Sequence, residues 1–130
     1  MSEYFIPIHQ HMLIRGYVSS ALTDPATGKH ALRTLVRDIG MVPVTEPQCV
    51  YIDTPGNEGL TGSINLATSH VAFHIWDDTG LIMADVYSCC TFDPQIVIDS
   101  LSTSLGLYRY GYEIIDRLDL PLDKGKKNPI

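Results

Sequence analysis

Three side chains able to attack carbonyls or move protons fall close together in this chain: Ser69, His74 five positions on, and Cys89 twenty positions on. Ser69 offers a hydroxyl nucleophile beside the carbonyl that precedes it, His74 an imidazole, and Cys89 a thiol. They lie in two apolar runs, Thr68-Ser69-His70-Val71-Ala72-Phe73-His74-Ile75-Trp76 and Leu81-Ile82-Met83-Ala84-Asp85-Val86-Tyr87-Ser88-Cys89. Between the runs, Asp77-Asp78-Thr79-Gly80 is a strong turn signal.

A symmetric hairpin on that turn pairs Trp76 with Leu81 and His74 with Met83. Counting outward, Ala72 faces Asp85, His70 faces Tyr87, and Thr68 faces Cys89, so the register delivers Cys89 to the Thr68–Ser69 bond. A one-residue bulge would flip the faces. Alternation puts His70, His74 and Trp76 on one face and Val71, Phe73 and Ile75 on the other. The second set is a core stripe; the first suits a site or an interface. Taken alone, either histidine reads as a packed, hydrogen-bonded side chain.

The elements that must hold this hairpin follow from periodicity and punctuation. Residues 4–18 predict a first strand, with Ile6, Ile8, Met12, Ile14 and Val18 among its apolar positions. Asp24-Pro25 opens a helix to about Gly40, with Ala31, Leu32, Leu35 and Ile39 on one face and Gly40 as its cap. A strand over 48–53 and a turn-rich loop at Thr54-Pro55-Gly56-Asn57-Glu58-Gly59 lead to strands at about 60–67, 70–77 and 81–89. Asp93-Pro94 begins a second helix whose buried stripe is expected to be Ile96, Val97, Leu101 and Leu105, stopping at Gly106. Residues 107–117 read as a last strand. This order predicts an α+β fold, a mainly antiparallel sheet with two helices packed on one face. The opposite face then needs cover, which a homodimer supplies. Residues 1–120 are expected to form a single domain and 121–130 a flexible tail; the Lys124–Lys127 cluster there reads as solvated.

Composition narrows the function classes. Hydrophobic residues make up 45% and charged residues 18% of 130, enough for a folded core. No apolar run approaches the roughly eighteen residues of a membrane span, and no secretory signal is evident at Met1-Ser2-Glu3-Tyr4, so a cytoplasmic location is expected. A formal net charge of -6 argues against nucleic acid and suits a cationic small molecule. Cys49, Cys89 and Cys90 form neither a disulfide framework nor a zinc pattern. On a strand, Cys89 and Cys90 point to opposite sides, poorly placed to share a metal. His9 and His11 share a strand face, but no third ligand is evident, so no metal is expected.

The Ser69–Cys89 segment resembles the self-processing region of the small bacterial and archaeal S-adenosylmethionine decarboxylases, which turn an internal serine into a pyruvoyl cofactor. The resemblance runs from about Gly59 to Gly106. Gly59-Leu60-Thr61-Gly62 stands for the family's Gly-x-Ser-Gly, and Asp85-Val86-Tyr87-Ser88-Cys89 for its Asp-Val-Phe-Thr-Cys. It implies cleavage between Thr68 and Ser69, a pyruvoyl group derived from Ser69, processing assisted by Thr61 and His74, and Cys89 as the proton donor in decarboxylation. Asp78 falls where the family's glutamate binds the ribose hydroxyls. The substrate amine would form a Schiff base with the pyruvoyl carbonyl, which holds the electrons as carbon dioxide leaves. Alone, Cys89 reads as an ordinary buried thiol; its place opposite Thr68 argues for the acid. The resemblance also implies shared sites in a homodimer, with Ser69 and Cys89 from one subunit and Thr61, His74 and Asp78 from the other.

Four departures concern the substrate and the cleavage point. Thr68 replaces the usual glutamate, Trp76-Asp77-Asp78 replaces Trp-Pro-Glu, Cys90 replaces a glycine, and Pro55 aligns with a phenylalanine that stacks on adenine. Trp76 is an alternative stacking surface. The expected activity is decarboxylation of S-adenosylmethionine to supply the aminopropyl donor for spermidine. A pyruvoyl-dependent decarboxylase of ornithine or arginine is the second reading, and an unprocessed homologue acting as a binding protein the third.

Overall fold

A computed structural model describes residues 9–19 and 22–123. Its elements are β1 (Gln10–Val18), α1 (Pro25–Asp38), β2 (Gln48–Ile52), β3 (Gly59–Leu66), β4 (Ser69–Trp76), β5 (Leu81–Ser88), α2 (Pro94–Leu105) and β6 (Leu107–Asp116), followed by a short 3-10 turn at Arg117–Asp119. The strands form one sheet in the order β2-β3-β4-β5-β1-β6, and every neighbouring pair is antiparallel. The α+β architecture read from the sequence is therefore the architecture observed. Residues 4–8 of the expected first strand and 124–130 of the expected tail lie outside the described residues.

Both helices start on the same chemistry. Asp24 accepts a hydrogen bond from the Ala26 N–H at 2.9 Å and Asp93 one from the Gln95 N–H at 2.9 Å, each with a proline at the first helical position. α2 stops at Gly106, whose φ of 75° closes the last turn. α1 is capped one residue earlier than expected, at Ile39, with Gly40 at φ 75° just beyond it. The buried stripe of α2 is Val97, Ile98, Leu101 and Leu105, whereas Ile96 is 39% exposed. At about 100° per residue, Ile96 lies roughly 150° from the centre of that stripe, so burying Ile98 turns Ile96 outward.

The core lies between the helices and one sheet face, where Met12, Ile14, Leu60, Phe73, Ile75, Ile82 and Val86 meet Ala31, Leu32, Leu35, Val97 and Leu101. α1 fits closely because Gly28 presents no side chain: a Cβ there would stand 2.3 Å from the Cys49 sulfur. Among the described residues, no helix covers the other sheet face. Leu13 and Met83 are each 38% exposed on it, beside His11, Arg15, His70, Ala72, His74, Asp85 and Tyr87.

Candidate functional site

The β4–β5 hairpin forms in the expected register, with Trp76 opposite Leu81, His74 opposite Met83, Ala72 opposite Asp85 and His70 opposite Tyr87. Its turn closes with the Gly80 N–H donating to the Trp76 carbonyl at 2.8 Å. The β3–β4 connection is much tighter. Leu66 pairs with Ser69, leaving only Ala67 and Thr68 in the turn. Thr68 adopts φ 60°, and it is the sole positive-φ residue other than glycine among the described residues. A β-branched side chain in the left-handed region is strained. That strain lies immediately before the Thr68–Ser69 bond.

Around the bond, the Thr68 hydroxyl is 2.8 Å from the Cys89 sulfur and donates to the Ala67 carbonyl at 2.6 Å. It has one proton for two partners. While that proton is on Ala67, the thiol donates to Thr68; turned to the sulfur, it stabilises the thiolate. The thiol is accordingly drawn below its ordinary value of 9.0, mainly by Thr68, against the opposing effect of burial and with help from Ser69 and Cys90. The Cys89 N–H donates to Ser69 Oγ at 3.2 Å, and Ser69 itself is buried.

One expectation about the cysteines is overturned. β5 ends at Ser88, so Cys89 and Cys90 lie in a bend beyond the ladder, where strand alternation no longer applies. Their sulfurs face each other at 3.9 Å rather than pointing to opposite sides.

A second group gathers at the far end of β4. Thr61 and His74 are cross-strand partners, and Thr61 Oγ1 lies 3.1 Å from His74 Nδ1. The Trp76 indole donates to Asn57 Oδ1 at 3.2 Å, and the Tyr51 hydroxyl donates to Asp77 at 2.5 Å. Ile52, Asn57, Gly59, Leu60, Thr61, His74, Ile75 and Trp76 line a cavity of about 190 Å³. Asp78 is exposed in the adjoining turn and does not line it. Five residues of strand, roughly 16 Å, separate Ser69 from His74. The chain thus brings Thr68, Ser69 and Cys89 together, and separately Thr61, His74 and Trp76, but does not join the two groups.

On the bare face, from the Ser69 end of β4 across β5 toward β1 and β6, is a cluster the sequence reading did not assemble. His9 Nδ1 meets the Tyr87 hydroxyl at 2.5 Å, and the Arg117 guanidinium stands 4.4 Å from the centre of the Tyr87 ring. His11 and His70 flank the same ring at 5.8 and 5.4 Å. Burial lowers the His11 pKa below 6.5, opposed by Asp85 and assisted by Arg117 and His70. Its Nε2 is buried without a hydrogen-bond partner among the described residues. Alternation marked His70, and strand pairing put Tyr87 beside it; His9 and Arg117 arrive from residues flanking β1 and β6, which no local signal links. Among the described residues, no three or more His, Cys, Asp or Glu side chains are placed to hold one metal ion.

A six-stranded antiparallel sheet backed by two helices, with a strained turn before a serine and a thiol across it, defines the class of protein. The S-adenosylmethionine decarboxylase family model matches residues 10–118, and the chain belongs to that family. It is 34% identical over 61 residues to the S-adenosylmethionine decarboxylase proenzyme of Symbiobacterium thermophilum, covering 46% of each chain. To that of Thermococcus onnurineus it is 29% identical over 85 residues, 63% of this chain and 60% of the relative. These matches thus span about half the length of the relatives. The crystal structure of the adenosylmethionine decarboxylase from Aquifex aeolicus superposes with a TM-score of 0.70 over 95% of this chain and 99% of that one, at 22% identity, and bears on the fold. No described helix is long and apolar enough to cross a membrane.

Proposed function

We propose that the chain is a proenzyme that cleaves itself between Thr68 and Ser69 and then decarboxylates S-adenosylmethionine, supplying an aminopropyl donor for spermidine. The observation that carries this reading is Thr68 at φ 60°, strained against Ser69 and in contact with Cys89. Ser69 Oγ attacks the Thr68 carbonyl carbon; the C–N bond breaks, the nitrogen takes a proton, and an ester replaces the amide. Relief of the Thr68 strain favours this shift. A base removes the Ser69 α-proton, the Cβ–O bond of the ester breaks, and Thr68 leaves as a carboxylate. Water then converts the dehydroalanine at position 69 to a pyruvoyl group with loss of ammonia.

Residues 68, 69 and 89 fit that group: the serine that becomes it, the strained residue that departs, and a thiol beside both. The pyruvoyl carbonyl supplies an electrophile that accepts the electrons left when carbon dioxide is lost. Cys89 returns a proton to the substrate α-carbon, which requires the protonated thiol. His74, held by Thr61, assists processing. Trp76, fixed by Asn57, offers an aromatic surface to the substrate, and Asp78 a carboxylate to its hydroxyls.

The two separated groups support a homodimer. In this homodimer Ser69 and Cys89 of one subunit share a site with Thr61, His74 and Asp78 of its partner. In this reading the enzyme works in the cytoplasm as one domain.

The loss of an adenine-stacking phenylalanine at Pro55 favours a second reading, a pyruvoyl-dependent decarboxylase of ornithine or arginine. Denatured intact mass tests the first step: fragments 1–68 and 69–130, the second beginning with pyruvoyl, support it. A persistent full-length mass leaves a binding protein. Carbon dioxide release from the three candidate substrates separates the two enzyme readings.

A further inference from the structure

Cys90 has no part in the proposed reaction, yet it places a second thiol 3.9 Å from the Cys89 sulfur. Cys90 is exposed and Cys89 half-buried, so both are within reach of a small solute. Both backbone amides are occupied, Cys89 N–H by Ser69 Oγ at 3.2 Å and Cys90 N–H by Ser88 Oγ at 2.9 Å, while the side chains turn toward one another. The two thiols also differ. Contact with Cys90 and above all Thr68 draws Cys89 toward the thiolate, whereas the same contact raises Cys90 above 9.0. A thiolate beside a resolving thiol is the arrangement of redox-sensitive cysteine pairs.

We propose that Cys89 and Cys90 are a peroxide-sensitive pair whose reversible oxidation to a vicinal disulfide withdraws the Cys89 thiol from the Thr68–Ser69 site. The Cys89 thiolate attacks one oxygen of a hydroperoxide; the O–O bond breaks, hydroxide or alkoxide leaves and is protonated, and Cys89 becomes a sulfenic acid. The Cys90 thiolate then attacks the Cys89 sulfur; the S–O bond breaks and hydroxide leaves as water. Two thiols have lost two electrons and two protons, and the peroxide has been reduced. Neighbouring Cα atoms are about 3.8 Å apart, short of the roughly 4.4–6.8 Å of relaxed bridges. The ring is therefore strained and readily reopened by a dithiol, which suits a switch rather than a brace. The effect on catalysis rests on the decarboxylase reading; the thiol chemistry does not.

The test treats purified full chain with hydrogen peroxide, alkylates remaining thiols and maps peptide masses, with decarboxylation followed in parallel. The peptide bearing Cys89 and Cys90 is expected to lose two hydrogens and resist alkylation until dithiothreitol is added, activity falling and returning with it. Cys90→Gly keeps basal activity, but its Cys89 stops at a sulfenic acid captured by dimedone and then over-oxidises, with a loss dithiothreitol does not reverse. Sulfinic acid on wild-type Cys89 beside a free Cys90 overturns the proposal, as do two thiols untouched by peroxide that oxidises free cysteine. A disulfide in a chain that never decarboxylates overturns the enzyme reading and leaves the pair standing. A decarboxylase indifferent to peroxide does the reverse.

Discussion

In the proposed self-cleavage, Thr68 carries the strain that drives the first step. Holding a β-branched residue at φ 60° costs about 1–3 kcal/mol, and glycine adopts that conformation freely. Thr68→Gly should therefore slow cleavage about 5- to 150-fold, followed by intact mass during refolding; an unchanged rate would show that the strain is incidental. Ser69→Ala should remain a single full-length chain. Cys89→Ala should fold, because Cys89 lies outside the buried core, yet lose about 10²–10⁴ in decarboxylation rate. In the uncleaved chain the Cys89 pKa is lowered from 9.0, chiefly by the Thr68 hydroxyl, so the rate at which iodoacetamide alkylates Cys89 should rise with pH through a value below 9.0. Ser69, His74 and Cys89 were legible in the sequence from type and spacing. The thiol pair was not: its detection depends on β5 ending one residue before Cys89.

The β4–β5 hairpin could be counted residue by residue because Asp77-Asp78-Thr79-Gly80 advertises its turn and both strands alternate cleanly. The β3–β4 turn could not, since Ala67-Thr68 contains none of the residues that prefer positive φ. The local rule is broken at the candidate cleavage site, where the proposed self-cleavage gives the strain a use. Gly59 anchors the other end of this hairpin. At φ 153°, a Cβ there would stand 1.7 Å from the Ile75 carbonyl oxygen. Gly59→Ala should part β3 from β4 near Thr61 and His74, lowering the melting temperature and abolishing cleavage together. Asp93→Ala, by contrast, should cost about 1 kcal/mol of stability, seen as a lower denaturation midpoint, with cleavage retained.

For the whole molecule, the roughly 16 Å between Ser69 and His74 predicts complementation. Ser69→Ala and His74→Ala should each remain uncleaved, while their co-expression yields partial cleavage in heterodimers holding one intact site. Cleavage of neither chain would refute shared sites. His11 supplies a pH signature. Its folded pKa is lowered by burial, so the unfolded chain binds the proton more readily. Stability should be fully present above about 6.5 and decline as pH falls through the lowered folded value; His11→Asn should flatten this part of a denaturation-against-pH curve. Periodicity, capping pairs and turn residues determined the element order and the hairpin register, because each depends on neighbours close in sequence. The exposed Ile96, the left-handed Thr68, the Tyr87 cluster and the facing thiols were decided only by the tertiary structure. Those features depend on where strands stop and which distant segments meet them, and packing of the whole chain sets both.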